Sequence, residues 1–278
     1  MTMTYKTVLV HVDNGKYCPA RLRMAVHLAR RFDAHLVGLH AMTAVRLPAY
    51  AIAEAGATLI EAQKEVAREQ ARGAENLFRK ATEGAGMASV EWRVSADDAV
   101  DATTLHARYA DVVVLGQSRE GDGAGVETDF PEQVVLAAGR PVLVVPYAGN
   151  FEGVGKRVLV AWDAGREATR ALTDAIPLLR EAEQVHVVAF NPEGTAHGAV
   201  PGADIGLYLA RHGVRVEVGY HRADDIDVGN QLLSRVADLG IDLIVMGAYG
   251  HARVREMVLG GATRTLLEAM TVPVLMSH

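Results

Sequence analysis

The chain has 278 residues, 50% of them hydrophobic and 22% charged; this leaves room for two domains with real cores and excludes a disordered, collagen-like or disulfide-built protein. Its single cysteine, Cys18, has no partner within the chain, so nothing points to an oxidising compartment. A net charge of −6 argues against nucleic acid as a partner, yet permits a local basic pocket.

The first residues, Met1–Lys6, lack a basic region followed by an apolar run, and runs such as Val112–Leu115 and Ile241–Met246 are too short to span a bilayer. The expectation is a cytoplasmic protein with no membrane partner. In chain order, an apolar β run occupies Lys6–Asp13. The Ala-rich, proline-free stretch Tyr50–Glu83 reads as a long helix. Further apolar runs follow at Asp111–Gly116 and Arg140–Val145. Tyr147–Gly155, with three glycines, reads as a short mobile linker. Beyond it, strands are expected at Val158–Trp162, Val185–Phe190, Val214–Tyr220, Ile241–Met246 and Pro273–Met276. Helical periodicity runs through Ala168, Ala171, Leu172, Ala175, Leu178 and Leu179, and helices are expected at Ile226–Leu239 and Gly261–Met270.

The two halves repeat one another. Lys6-Thr-Val-Leu-Val-His-Val-Asp13 matches Lys156-Arg-Val-Leu-Val-Ala-Trp-Asp163, and Ala96-Asp97-Asp98 matches Ala223-Asp224-Asp225. Asp111–Gly116 matches Asp242–Gly247, and Pro141-Val-Leu matches Pro273-Val-Leu. Four matches in one order give two tandem domains, over 1–147 and 155–278. Buried strands alternating with helices make each an α/β, doubly wound unit on a parallel sheet. Asp13 and Gly116 are 103 residues apart but Asp163 and Gly247 only 84, so the first half carries an insertion, placed in the 50–83 helix.

In such sheets ligands sit beyond the carboxyl ends of the strands, where the strand order reverses. Two segments of the second half end there. One is Asp163. The other runs from Gly247 through Gly250, His251, Arg253, Arg255, Gly260 and Gly261 to Thr263. Glycines permit close backbone approach, a helix start offers free N–H groups, and the arginines and His251 supply positive charge. In the first half Arg119 replaces the second glycine, and Gly116–Glu132 holds five acids against one base. That segment reads as a flexible loop hostile to a triphosphate. Asp13, Asp97, Asp98 and Asp227 are read as turn or cap residues, and His11, Trp92 and Trp162 as core. No His/Cys spacing suggests a metal site.

The spacing G-x2-G-x9-G at Gly247, Gly250 and Gly260 resembles the ATP-binding branch of the universal stress protein family, in its tandem form. The resemblance implies a five-stranded parallel sheet of order 3-2-1-4-5 in each half. It implies ATP, with Mg2+ if bound, held between Asp163 and the backbone near Phe190 on the adenine and ribose side. Gly247, Gly250, Gly260, Gly261, Ala262 and Thr263 would surround the ribose and phosphates, with His251 and Arg253 nearby. One departure stands out: the family has Ser or Thr after the last glycine, where this chain has Gly261. The resemblance further implies an intramolecular pseudo-dimer of the two domains and the possibility of a homodimer. The readings left open are a stress-response regulator that binds ATP, a slow ATP hydrolase or phosphotransferase, and a binder of an apolar ligand under the long helix.

Overall fold

The computed structural model describes residues 4–42, 49–151, 153–190, 202–221, 227–249 and 261–278, without the side chains of 49–59, 190 and 221. The first half comprises β1 (Thr7–His11), α1 (Cys18–Phe32), β2 (His35–Ala41), α2 (Ala49–Gly84), β3 (Val90–Ser95), α3 (Ala99–Ala107), β4 (Val112–Gly116), α4 (Phe130–Ala137) and β5 (Val142–Val145). The second comprises β6 (Arg157–Ala161), α5 (Arg166–Arg180), β7 (Gln184–Phe190), α6 (Ala203–Arg211), β8 (Val216–His221), α7 (Val228–Leu239), β9 (Leu243–Gly247), α8 (Gly261–Ala269) and β10 (Val274–Ser277).

Within each half the strands are parallel and lie in the order 3-2-1-4-5, counted from that half's own first strand. Central strands are apolar at every position because helices cover both faces: Val8, Leu9, Val10 and Val112–Leu115 are all buried. The halves share one ten-stranded sheet, joined by antiparallel pairing of β5 with β10. Leu143 stands opposite Leu275, each the leucine of a Pro-Val-Leu run. Equivalent residues therefore meet about a local two-fold, and two strand edges that would otherwise be open are closed. Side chains cross the same boundary: the Tyr5 hydroxyl donates to the Asp174 carbonyl at 2.7 Å, and Arg31 Nε to Glu181 Oε2 at 2.6 Å.

The recurring Asp before the fourth strand has a structural task in both halves. Asp111 accepts the backbone N–H groups of Lys6 and Thr7 at 2.6 and 2.9 Å. Asp242 accepts those of Gly155, Lys156 and Arg157 at 2.9, 2.9 and 3.2 Å. Each carboxylate thus fixes the start of the neighbouring first strand. Asp98 and Asp227 cap α3 and α7, taking the N–H groups of Val100 and Gly229 at 3.0 and 2.8 Å.

The insertion is one helix of 36 residues, α2, where the second half has the nine-residue α6. The carboxyl-terminal part of α2 packs: Phe78 is buried on Gly38 and Trp92, and a Cβ at Gly38 would lie 2.7 Å from the Phe78 ring. Its middle is solvent-facing, laced by exposed pairs such as Glu61–Lys64 and Glu69–Arg72, each worth a few tenths of a kcal/mol. The end of the linker is held in place among the described residues. Val154 is 2% exposed, its carbonyl accepts from Arg31 Nη1 at 2.6 Å, and Gly155 is held by Asp242. Burial of Phe151 and Val154 against the core outweighs the freedom of the glycines.

Candidate functional site

In the second half the order reverses between β6 and β9, which pair with Ala161 opposite Met246. Asp163 follows β6, Gly247 ends β9, and Phe190 ends the adjacent β7. The crossover from β9 to β10 runs α8 antiparallel to the strands, so Gly261, Ala262 and Thr263 start α8 at the same edge. The fold thus brings five of the expected residues to one edge, with Phe190 at its flank. Gly250, His251, Arg253 and Gly260 lie outside the described residues.

Asp163 is exposed, and its Oδ1 accepts the Gly165 N–H at 2.8 Å. This Asx turn fixes the carboxylate at the crevice. Between them Ala164 adopts φ +60°, and on the facing loop Tyr249 adopts φ +57°. Left-handed backbone costs a residue with a Cβ roughly 1–2 kcal/mol, and such residues gather where function imposes a shape. Among the described residues only one other non-glycine has positive φ, Asp33, which caps the end of α1. Two of three such residues therefore flank this single crevice. At the start of α8, Gly261 is exposed with open space where a Cβ would stand, Ala262 is half-buried and Thr263 is buried. Gly247 answers to packing: a Cβ there would lie 2.4 Å from the Ala168 nitrogen and 2.6 Å from the Glu167 carbonyl carbon, in the first turn of α5. Among the described residues, the close approach at this glycine is by a helix of its own domain.

The equivalent crevice of the first half, between β1 and β4, is filled from within. Asp13 makes the same Asx turn, accepting the Gly15 N–H at 2.8 Å, but is only 3% exposed and pairs with Arg21 Nη2 at 2.5 Å. A Cβ at Gly116 would lie 2.6 Å from Arg21 Nη1, so the guanidinium sits between the ends of β1 and β4. The residue in its place on α5 is Ala171. Burial alone raises the Asp13 pKa, but the attraction of Arg21, with the hydrogen bonds of Arg21 and Gly15, holds it below its ordinary value. Burial pushes the neighbouring His11 down to about 3, so it is neutral, with its ring against Phe130.

The acidic loop after β4 is folded rather than free. Gly121, Gly123 and Gly125 take φ of +74°, +79° and +74°, turning the loop back over the first crevice. The Lys16 N–H donates to the Asp122 carbonyl at 3.1 Å, and a Cβ at Gly15 would lie 3.0 Å from Ala124 Cα. Gln117, directly after β4, is buried and crosses to the second half. Its amide nitrogen donates to the carbonyls of Leu267 and Glu268 at 2.9 and 3.0 Å, capping α8. Neither Arg21 nor Gln117 was singled out from sequence. Aligning the halves offers a signal for the first, an arginine in a helical stripe that is otherwise apolar in both. None marks the second.

The sequence model of the universal stress protein family matches residues 4–146 and again 155–278. Universal stress protein Slr1230 of Synechocystis is 29% identical over 172 residues, 59% of this chain and 57% of its own length. The match therefore spans little more than half of that relative. A universal stress protein structure from Archaeoglobus fulgidus covers 98% of this chain and 95% of its own, with TM-score 0.75 at 18% identity. One from Pseudomonas aeruginosa covers 98% and 93%, with TM-score 0.61 at 15% identity. At such identities these two show the fold alone. With both halves matched in turn, the chain belongs to the universal stress protein family and carries its domain twice in tandem.

Proposed function

We propose that the second half binds an adenine nucleotide, ATP, in the crevice between the ends of β6 and β9, and that occupancy serves a regulatory role in a cytoplasmic stress response. The observation that carries this reading is the pair of left-handed non-glycine residues, Ala164 and Tyr249, on the two loops facing one another across the exposed Asp163. Asp163 suits a ribose, since an ionised carboxylate accepts two hydroxyl hydrogens. The start of α8 suits phosphate through its free N–H groups and positive dipole end. Mg2+, where present, would enter with the triphosphate. The glycines expected to cradle the phosphates, Gly250 and Gly260, enter on the sequence motif. Domains 1–147 and 155–278 act in this reading as an intramolecular pseudo-dimer, supported by the symmetric meeting of Leu143 and Leu275.

The test is equilibrium binding of a fluorescent ATP analogue to wild type and Gly250→Asp, followed by long incubation watched for ADP. Saturable binding that the carboxylate at 250 weakens at least tenfold supports the proposal. Absence of binding in the wild type overturns it, and steady ADP release would turn the regulator into a hydrolase.

A further inference from the structure

The protein is acidic overall, yet α1 carries Arg21, Arg23, Arg30 and Arg31 and no carboxylate. Two of the four are committed, Arg21 to Asp13 and Arg31 to Glu181. Arg23 and Arg30 are exposed and have no ion-pair partner among the described residues. Both line a groove of about 690 Å³ between α1 and the end of α2. The α1 wall presents Arg23, His27 and Arg30; the facing wall is made of small residues, Ala81, Gly84 and Ala85. Gly84 has open space where a Cβ would stand, so the small wall leaves the cationic one accessible. Burial, with Arg31 and Arg30 beside it, holds the His27 imidazole below its ordinary value.

A basic residue in the last turn of a helix answers the negative end of its dipole, and that accounts for Arg30 and Arg31. It does not account for Arg23, two turns earlier. From Arg23 to Arg30 is seven residues, about 10 Å along the axis, with His27 between them on the same stripe. Two exposed guanidinium groups at that spacing match a row of phosphates better than a single compact anion. We infer that this groove binds a small linear polyanion, its phosphate groups laid along α1 between Arg23 and Arg30. The inference is independent of the nucleotide site proposed above.

Titration calorimetry with sodium tripolyphosphate tests it on the full chain. The measurement is made in a Gly250→Asp background, which blocks the second crevice, and one tripolyphosphate per chain is expected to remain. Adding Arg23→Ser with Arg30→Ser should weaken that binding at least tenfold, since two charge-assisted contacts are lost. Gly84→Glu, added instead, should do the same by adding a negative charge without touching the core. Unaltered affinity in both, or no binding in the Gly250→Asp background, would each overturn the inference.

Discussion

The two halves share a fold, a sheet order and an Asx turn after the first strand, and differ in what lies beside that turn. In the first half Arg21 fills the space between β1 and β4, Asp13 is buried against it, and the glycine-bearing loop closes over both. In the second, Ala171 stands at the arginine's place, Asp163 faces solvent, and both flanking loops carry left-handed residues. One scaffold thus supports an end that is self-paired and, among the described residues, one whose Asp is exposed between left-handed loop residues. A single residue on the first helix decides much of the difference. What fills a ligand crevice can be a side chain of the same domain, and once paired there it becomes part of the core.

The largest break in this comparison is Arg21→Ala. It strands the Asp13 carboxylate in a buried position, and removing one partner of a buried pair costs about 3–5 kcal/mol. Denaturant unfolding should show that loss; a change below about 1 kcal/mol would mean that the pair does not hold the first crevice shut. Next comes Gly247→Ala, which drives a methyl into the backbone of α5 and should cost about 2–3 kcal/mol. Gly116→Ala meets only the end of the Arg21 side chain and should cost less. Equal losses would contradict the account of Gly247 as a contact between strand and helix backbone. The smallest effect is Ala164→Gly, which relieves the left-handed backbone and should stabilise by up to about 1 kcal/mol. A destabilised variant would show that the Ala164 conformation is not strained.

Much of this was legible in the sequence because the repeat supplied an internal control. The tandem α/β architecture, the long helix of the insertion and the Asp caps all follow from periodicity and matched runs. Strand ends shifted by a residue or two: Ile241 and Asp242 belong to the turn, since the Asp242 carboxylate is occupied in holding β6. The helix α6 escaped notice because it is short and carries Gly206 in its interior, which weakens its helical signal. The site was legible as a place, the edge where β6 and β9 end. The packing of Gly247 against α5 was not, because a glycine needed by a packed helix and one needed by a phosphate look the same in a motif. Glycine content at 121–125 and in the linker does not show which backbone hydrogen bonds and buried apolar neighbours these segments make.

The central claim is that nucleotide occupies the second crevice while the first is filled by its own arginine. The most direct measurement is calorimetric titration of ATP into wild type, Asp163→Asn and Asp13→Asn. The account predicts ATP affinity reduced at least tenfold by Asp163→Asn with little change in stability, and untouched by Asp13→Asn, which instead lowers the unfolding midpoint. An affinity that falls with Asp13→Asn and survives Asp163→Asn would contradict it.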